Sequence, residues 1–232
     1  MNNILVIDTS RATTAVGVIA AGQVKTLASA NSRYSAQEVL PLIDQLLQSV
    51  DSQLAELAAI AVVSGPGSFT GLRIGIGVAQ GLGAALDIPL LAMSSLALQA
   101  FGGQMQHGQQ HWLVAELARD DEIYFAAYHA SPDQGCTVVV EEQVCNIANL
   151  DLPASWPAAS EAGKAQWAGI GSAWQEEGLR EKLLQCLGNT SVFDSTYRIE
   201  DACALAGLEF SLGRASQDLL LPNYIKEDLD YS

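Results

Sequence analysis

Asp8, Thr9 and Ser10 close the first apolar run of the chain, "NILVIDTS". A carboxylate followed by two hydroxyls at the end of a strand can line the phosphates of a nucleotide through Mg²⁺. The same three residues also suit an ordinary β-turn, and Arg11 follows closely. A second candidate is "GIGS", Gly169 to Ser172. Its glycines allow the backbone to approach a phosphate across a cleft, or simply to turn. His107 and His111 stand four apart, a spacing that on a helix can bind one metal ion. Gly108 and the flanking glutamines read instead as a flexible connector. The third histidine, His129, stands alone. Asp120, Asp121 and Glu122 suit a solvated hairpin turn. The stretch "GPGSFTG" carries Ser68, yet it forms no Gly-x-Ser-x-Gly elbow and has no base beside it. It also lacks the Gly-Lys-Ser/Thr ending of a P-loop, and no lysine lies between Lys25 and Lys164. No catalytic constellation emerges from these residues.

The elements that must position them begin with three short strands, "NILVIDTS", "TAVGVIAAG" and "QVKTLASANS". A helix over 35–50 opens with the capping-box pattern Ser35-x-x-Glu38. Val39, Leu40, Ile43, Leu46, Leu47 and Val50 give it an apolar stripe of helical period, widened by Leu42 and bent near Pro41. A strand over 58–64 follows, then a Gly-Pro-Gly turn and a helix whose first amides Ser68 or Thr70 can cap. "IPLLAMSS" supplies another strand. Beyond the break at "FGGQMQHGQQ", the strands "HWLVAELAR", "EIYFAAYHA", "CTVVVEEQVCNI" and "WAGIG" precede helices near 173–187 and 201–214. The loop "LDLPASWPAASEAGKA" has no periodicity. The fold class predicted is α/β, with two similar halves carrying mixed sheets. The expected division is 1–102 and 103–232, with a return of the last residues to the first half left open.

The glycine helix raises its own question. Gly71, Gly75, Ala79 and Gly83 recur every fourth residue, with Gly77, Gly81 and Ala85 in a parallel row. Each interior glycine costs about 1 kcal/mol relative to alanine, so another element must come close. Either the protein's own sheet or a partner helix answers that need. A membrane span does not, because Arg73, Gln80 and Asp87 interrupt the run and Pro89 follows.

Charge and cysteines narrow the function classes. The 232 residues carry a formal net charge of −15. Such a surface repels phosphate backbones, so direct nucleic-acid binding is not expected and a basic partner must hold any RNA. Cys136, Cys145, Cys186 and Cys203 form no C-x-x-C pair, as suits reduced thiols in the cytoplasm. The N-terminus lacks the pattern of a signal peptide.

The segments "ILVIDTS", "LPLID", "SGPGSFTGLRIGIGVAQGL" and "IPLLAMSSL" resemble the TsaB (YeaZ) family, the bacterial partner of TsaD in making threonylcarbamoyladenosine on tRNA. The resemblance is strongest over residues 4–100 and continues through "ARDDEIYFAAY", "GIGS" and "LPNYIKE". It implies the fold of the actin and sugar-kinase ATPases, with two similar subdomains. TsaD-like relatives carry a "PHHMEGH"-type stretch in which two histidines hold a metal; the corresponding positions here are Ser95 and Gln99, which are no substitute for two imidazoles. The resemblance therefore implies a non-catalytic scaffold without a metal, with TsaE as a further partner and TsaC-type enzymes making the adenylate. It implies docking of the first two helices on TsaD, and self-association into a homodimer when alone. The residues expected at that interface are Val39, Ile43, Leu46, Leu47, Gly71, Gly75, Gly77, Gly81 and Gly83. Two alternatives stand beside it. One is an autonomous ATP-dependent enzyme using Asp8, Thr9, Ser10, Gly169 and Gly171; the other is a homodimeric structural protein. No cofactor is assigned, ATP or ADP at a joint face being the one candidate.

Overall fold

The computed structural model describes residues 2–29, 35–119, 122–146, 167–178, 180–181, 184, 191–194, 196–223 and 225. The chain divides into two compact units, Met1–Leu98 with Arg198–Tyr224, and Gln99–Tyr197 with Ile225–Ser232.

The first unit is built on a five-stranded sheet of β1 (Asn3–Asp8), β2 (Ala15–Ala20), β3 (Gln23–Ala28), β4 (Leu57–Gly65) and β5 (Leu90–Ser94). Their order is β3-β2-β1-β4-β5. The hairpin strands β1, β2 and β3 pair antiparallel, whereas β1, β4 and β5 run parallel. Parallel neighbours need a crossover. The helix α2 (Phe69–Leu86) provides the one between β4 and β5, and α1 (Ser35–Gln48) lies in the connection from β3 to β4. Ser68 caps α2, its hydroxyl accepting from the Gly71 N–H at 3.2 Å. Of the two hydroxyls that sequence offered, Ser68 performs the task.

Val39, Ile43, Leu46 and Leu47 of α1 and Ile76 and Ala79 of α2 pack on Leu5, Ile7, Val16, Ile60 and Val62 of the sheet. This corrects the sequence expectation for α1. A helix laid on a sheet has one apolar stripe, and here the protein's own core claims it, leaving each of those four side chains at most 3% exposed.

The second unit repeats the plan. It contains β6 (His111–Leu117), β7 (Glu122–Ser131), β8 (Gly135–Asn146), β9 (Trp167–Ile170) and β10 (Ser191–Phe193). The order β10-β9-β6-β7-β8 is the first sheet's order again, with the same alternation of antiparallel and parallel neighbours. Helix α3 (Ser95–His107) precedes it. Gly103 lets that helix come close, since a β-carbon there would lie 2.8 Å from the Trp112 ring. Leu113, Ala115, Phe125, Ala127 and Trp174 form a core on one face of the sheet.

One helix is not where sequence placed it. The stretch predicted to close the second half forms α4 (Ile199–Ser211), which packs on β1, β2 and β3 of the first sheet. Ala202, Cys203, Leu205 and Ala206 are buried there. Gly17 of β2 has no side chain because the Cys203 sulfur fills that space. Burial, aided by the Glu200 charge, pushes the Cys203 thiol up to about 12. The segment after α4 stays with the first unit: Ser216 bridges Leu90, the Gln80 amide donates to the Leu220 carbonyl at 2.5 Å, and the Asn223 N–H donates to the Ser64 carbonyl at 2.8 Å. The helix expected near 173–187 opens as a 3-10 turn, Ser172–Gln175. Asp120, Asp121, Cys186 and the loop 150–165 lie outside the described residues.

Candidate partner-docking face

The Asp8-Thr9-Ser10 turn is built into the start of α2. Asp8 is 4% exposed, Thr9 1% and Ser10 3%. The Asp8 carboxylate accepts from the Ser10 N–H at 2.9 Å and from its hydroxyl at 2.6 Å, and Arg11 lies 3.7 Å away. Thr9 donates its hydroxyl to the Gly71 carbonyl at 2.7 Å, while the Ser10 carbonyl accepts from the Ser68 N–H at 2.8 Å. These groups tie a strand end to a helix start. Gly67 completes the fit, since a β-carbon on it would lie 2.6 Å from the Ser10 carbonyl oxygen.

The "GIGS" turn has a similar character in the second unit. Glu116 accepts from the Ser172 N–H at 3.0 Å and from its hydroxyl at 2.5 Å, and that hydroxyl accepts from the Leu117 N–H at 2.9 Å. Free amides at such a turn attract phosphate; here a carboxylate already sits on one, and like charges repel. Gly169 makes room for an indole, because a β-carbon on it would lie 2.5 Å from the Trp174 ring. We expect Gly169→Ala to lower stability by about 1–3 kcal/mol through overpacking. A lowered melting temperature with shifted tryptophan fluorescence checks this.

The positions that the resemblance aligns with metal ligands are likewise held by their own surroundings. Ser95 donates to the Pro66 carbonyl at 2.6 Å, and the Gln99 side-chain carbonyl accepts from the Tyr197 N–H at 3.0 Å. Among the described residues, no three of His, Cys, Asp or Glu come together as a metal centre. The helical His107/His111 pair does not form. Helix α3 ends at His107, Gly108 turns the chain at φ +75°, and His111 opens β6. The connector is thus a helix end and a short turn, 108–110, leading into a strand. His107 stacks on Phe193, ring centres 4.2 Å apart, whereas His111 meets His129. Burial first, and His129 second, hold the His111 imidazole below its ordinary pKa.

The glycines of α2 divide into two sets. Gly71, Gly75 and Gly83 face the protein's own chain: a β-carbon on Gly71 would strike the Thr9 carbonyl oxygen, one on Gly75 the Thr9 hydroxyl, and one on Gly83 would lie 2.8 Å from Leu90. They are therefore not docking residues, and sheet packing explains them. Gly77 and Gly81 are exposed, with nothing within 4 Å of where a β-carbon would stand. Two residues along a helix is a rotation of about 200°, which separates Gly75 from Gly77 and Gly81 from Gly83. The outward side carries Gly77, Gly81, Ala84 and Ala85 exposed, with Ile74 and Val78 half-buried, and Leu40 of α1 is also exposed. By length and composition α2 is apolar enough to cross a membrane, yet 33% of it is buried in this fold. Its inward row lies over β4, from the turn after β1 to Leu90 of β5, so it is a crossover helix whose apolar back is exposed or half-buried. Sequence had joined the two glycine rows into one broad side; the helical rotation between them was the available signal.

Two mixed sheets of one shared strand order, each with its first strand central, define an α/β protein of the actin-like class. A family model described as "TsaD: tRNA N6-adenosine threonylcarbamoyltransferase" matches residues 27–203. The chain is 30% identical to the tRNA threonylcarbamoyladenosine biosynthesis protein TsaB of Escherichia coli K12, over 74% of its length and 72% of that protein's. It is 33% identical to TsaB of Bacillus subtilis 168, over 54% of each. Two solved structures from Pseudomonas aeruginosa superpose with TM-scores of 0.81 and 0.78, at 31% and 30% identity, covering 97% of this chain and all of theirs. One is described as YeaZ, the other as an uncharacterized protein similar to peptidase YEAZ. The chain belongs to the TsaD family, on its TsaB (YeaZ) branch.

Proposed function

We propose that this protein is a non-catalytic scaffold that docks on TsaD through the outward side of α2 and the neighbouring part of α1. In that role it supports transfer of threonylcarbamoyl to the tRNA adenosine beside the anticodon. The observation that carries the reading is the pair Gly77 and Gly81, open to solvent in the middle of a helix. Each costs about 1 kcal/mol of helix propensity. Among the described residues no contact accounts for them, and a second helix brought close is the natural compensation. TsaE is a further partner in this reading, and a second copy of the chain takes the same face when TsaD is absent. The protein works in the cytoplasm, and its charge of −15 leaves the holding of tRNA to TsaD. The engaged hydroxyls of Thr9 and Ser10 and the Glu116 carboxylate on "GIGS" weigh against an autonomous ATP-dependent enzyme.

The test is reconstitution with the cognate TsaD, TsaE, the threonylcarbamoyl adenylate and tRNA. Modified adenosine is expected when both this chain and TsaD are present, and none from this chain alone. Modification by this chain without TsaD would overturn the scaffold reading.

A further inference from the structure

Outside the docking face, the most chemically able cluster lies at the open end of the β6–β7 hairpin. His111 and His129 stand directly opposite each other on antiparallel strands. Their ring centres are 5.0 Å apart and the rings cross at 73°. The backbone bond from the Ala130 N–H to the Gln110 carbonyl, 2.7 Å, fixes the strands beside the pair. Trp167, opposite His111 on β9, walls one side at 5.2 Å. Thr137 is opposite His129 on β8. Both imidazoles are partly exposed, so an ion can reach them from solvent.

We propose that His111 and His129 form a two-imidazole chelating site for a borderline divalent transition-metal ion of the Ni²⁺, Cu²⁺ or Zn²⁺ class. The spacing is the first reason. Imidazole nitrogens bind such ions at about 2.0–2.1 Å, and a ring centre lies about 1.1 Å behind its nitrogen. Two imidazoles at an angle of about 90–110° on one ion then have their centres roughly 4.5–5.3 Å apart. The observed 5.0 Å falls inside that range, so the strands already hold the rings at chelating distance.

The donor set is the second reason. Imidazole suits Cu, Ni and Zn, whereas Mg²⁺ and Ca²⁺ require oxygen ligands. Among the described residues, no third His, Cys, Asp or Glu joins the pair. Water therefore fills the remaining positions, and the ion exchanges rather than serving as a closed structural centre. The site lies in the second unit, and it stands whether or not the docking reading does.

The test uses the full chain without an affinity tag, titrated with Ni²⁺, which avoids thiol oxidation, and with Mg²⁺ as the control. Calorimetry is expected to show one Ni²⁺ per chain and no Mg²⁺ binding, with Trp167 emission changing as Ni²⁺ is added. His129→Ala and the more conservative His129→Gln should each weaken Ni²⁺ binding by at least about tenfold. His107→Ala should leave it unchanged. Melting of each variant without metal establishes that it is folded. Absence of saturable Ni²⁺ binding, unchanged affinity in folded His129→Gln, or equal loss in His107→Ala would each overturn the site.

Discussion

Gly75→Leu is expected to lower the melting temperature of the isolated protein by roughly 2–12 °C, with a matching loss of soluble yield. The inward side of α2 rests on the turn after β1. A β-carbon at position 75 strikes the Thr9 hydroxyl, and the Val62 side chain lies 3.4 Å from it. Thr9 is 1% exposed and its hydroxyl is engaged with the Gly71 carbonyl, so it has nowhere to withdraw. Overpacking of this kind costs about 1–3 kcal/mol, while leaving glycine returns less than about 1 kcal/mol of helix propensity. The loss dominates. Gly71→Ala should behave alike with a smaller side chain, because its obstruction is a backbone oxygen rather than the movable end of a side chain. Thermal melts of the two variants provide the check. An unchanged melting temperature in Gly75→Leu would mean that α2 does not rest on the β1 turn.

Gly81→Leu should do the reverse. Its β-carbon meets nothing, so the monomer keeps its melting temperature or gains from better helix propensity, by up to about 1 kcal/mol. Affinity for the cognate TsaD, measured by calorimetry, should fall by about 5–150-fold, the equivalent of 1–3 kcal/mol of overpacking in a close helix contact. Wild-type affinity in a well-folded Gly81→Leu protein would remove the outward side of α2 from the interface. The two variants sit six residues apart on one helix, and opposite outcomes from them separate private packing from docking.

Much of this architecture was legible beforehand, because strands and helices announce themselves by period. The repeated run of three strands and a later fourth appeared in the sequence, and both sheets are mixed as expected, although β10 was not among the strands read from it. What period does not tell is which neighbour a stripe will meet. Val39, Ile43, Leu46 and Leu47 have the spacing that any buried helix face needs, and the nearest sheet took them. The stripe of α4 is equally silent about which sheet it covers. The His111–His129 pair was missed for another reason. The structure pairs residues nine positions either side of residue 120, whereas the turn at Asp120-Asp121 read from sequence would set His111 opposite Ala130 and turn the two imidazoles to opposite faces. Helical spacing had drawn attention to His107 instead.

The return of α4 and the following segment to the first sheet bears on the order in which the protein is made. The first unit is discontinuous, with Gln99–Tyr197 inserted between its parts. At about 5–20 residues per second, a ribosome takes roughly 5–20 s to add those residues. Through that interval the sheet face destined for α4 has no cover, and the strand Leu90–Ser94 lacks its later bridge at Ser216. The inserted unit emerges nearly whole during the same interval. Vectorial synthesis therefore favours completion of the second unit before the first, although the first begins at the N-terminus, and the newborn sheet is the part most in need of protection from aggregation.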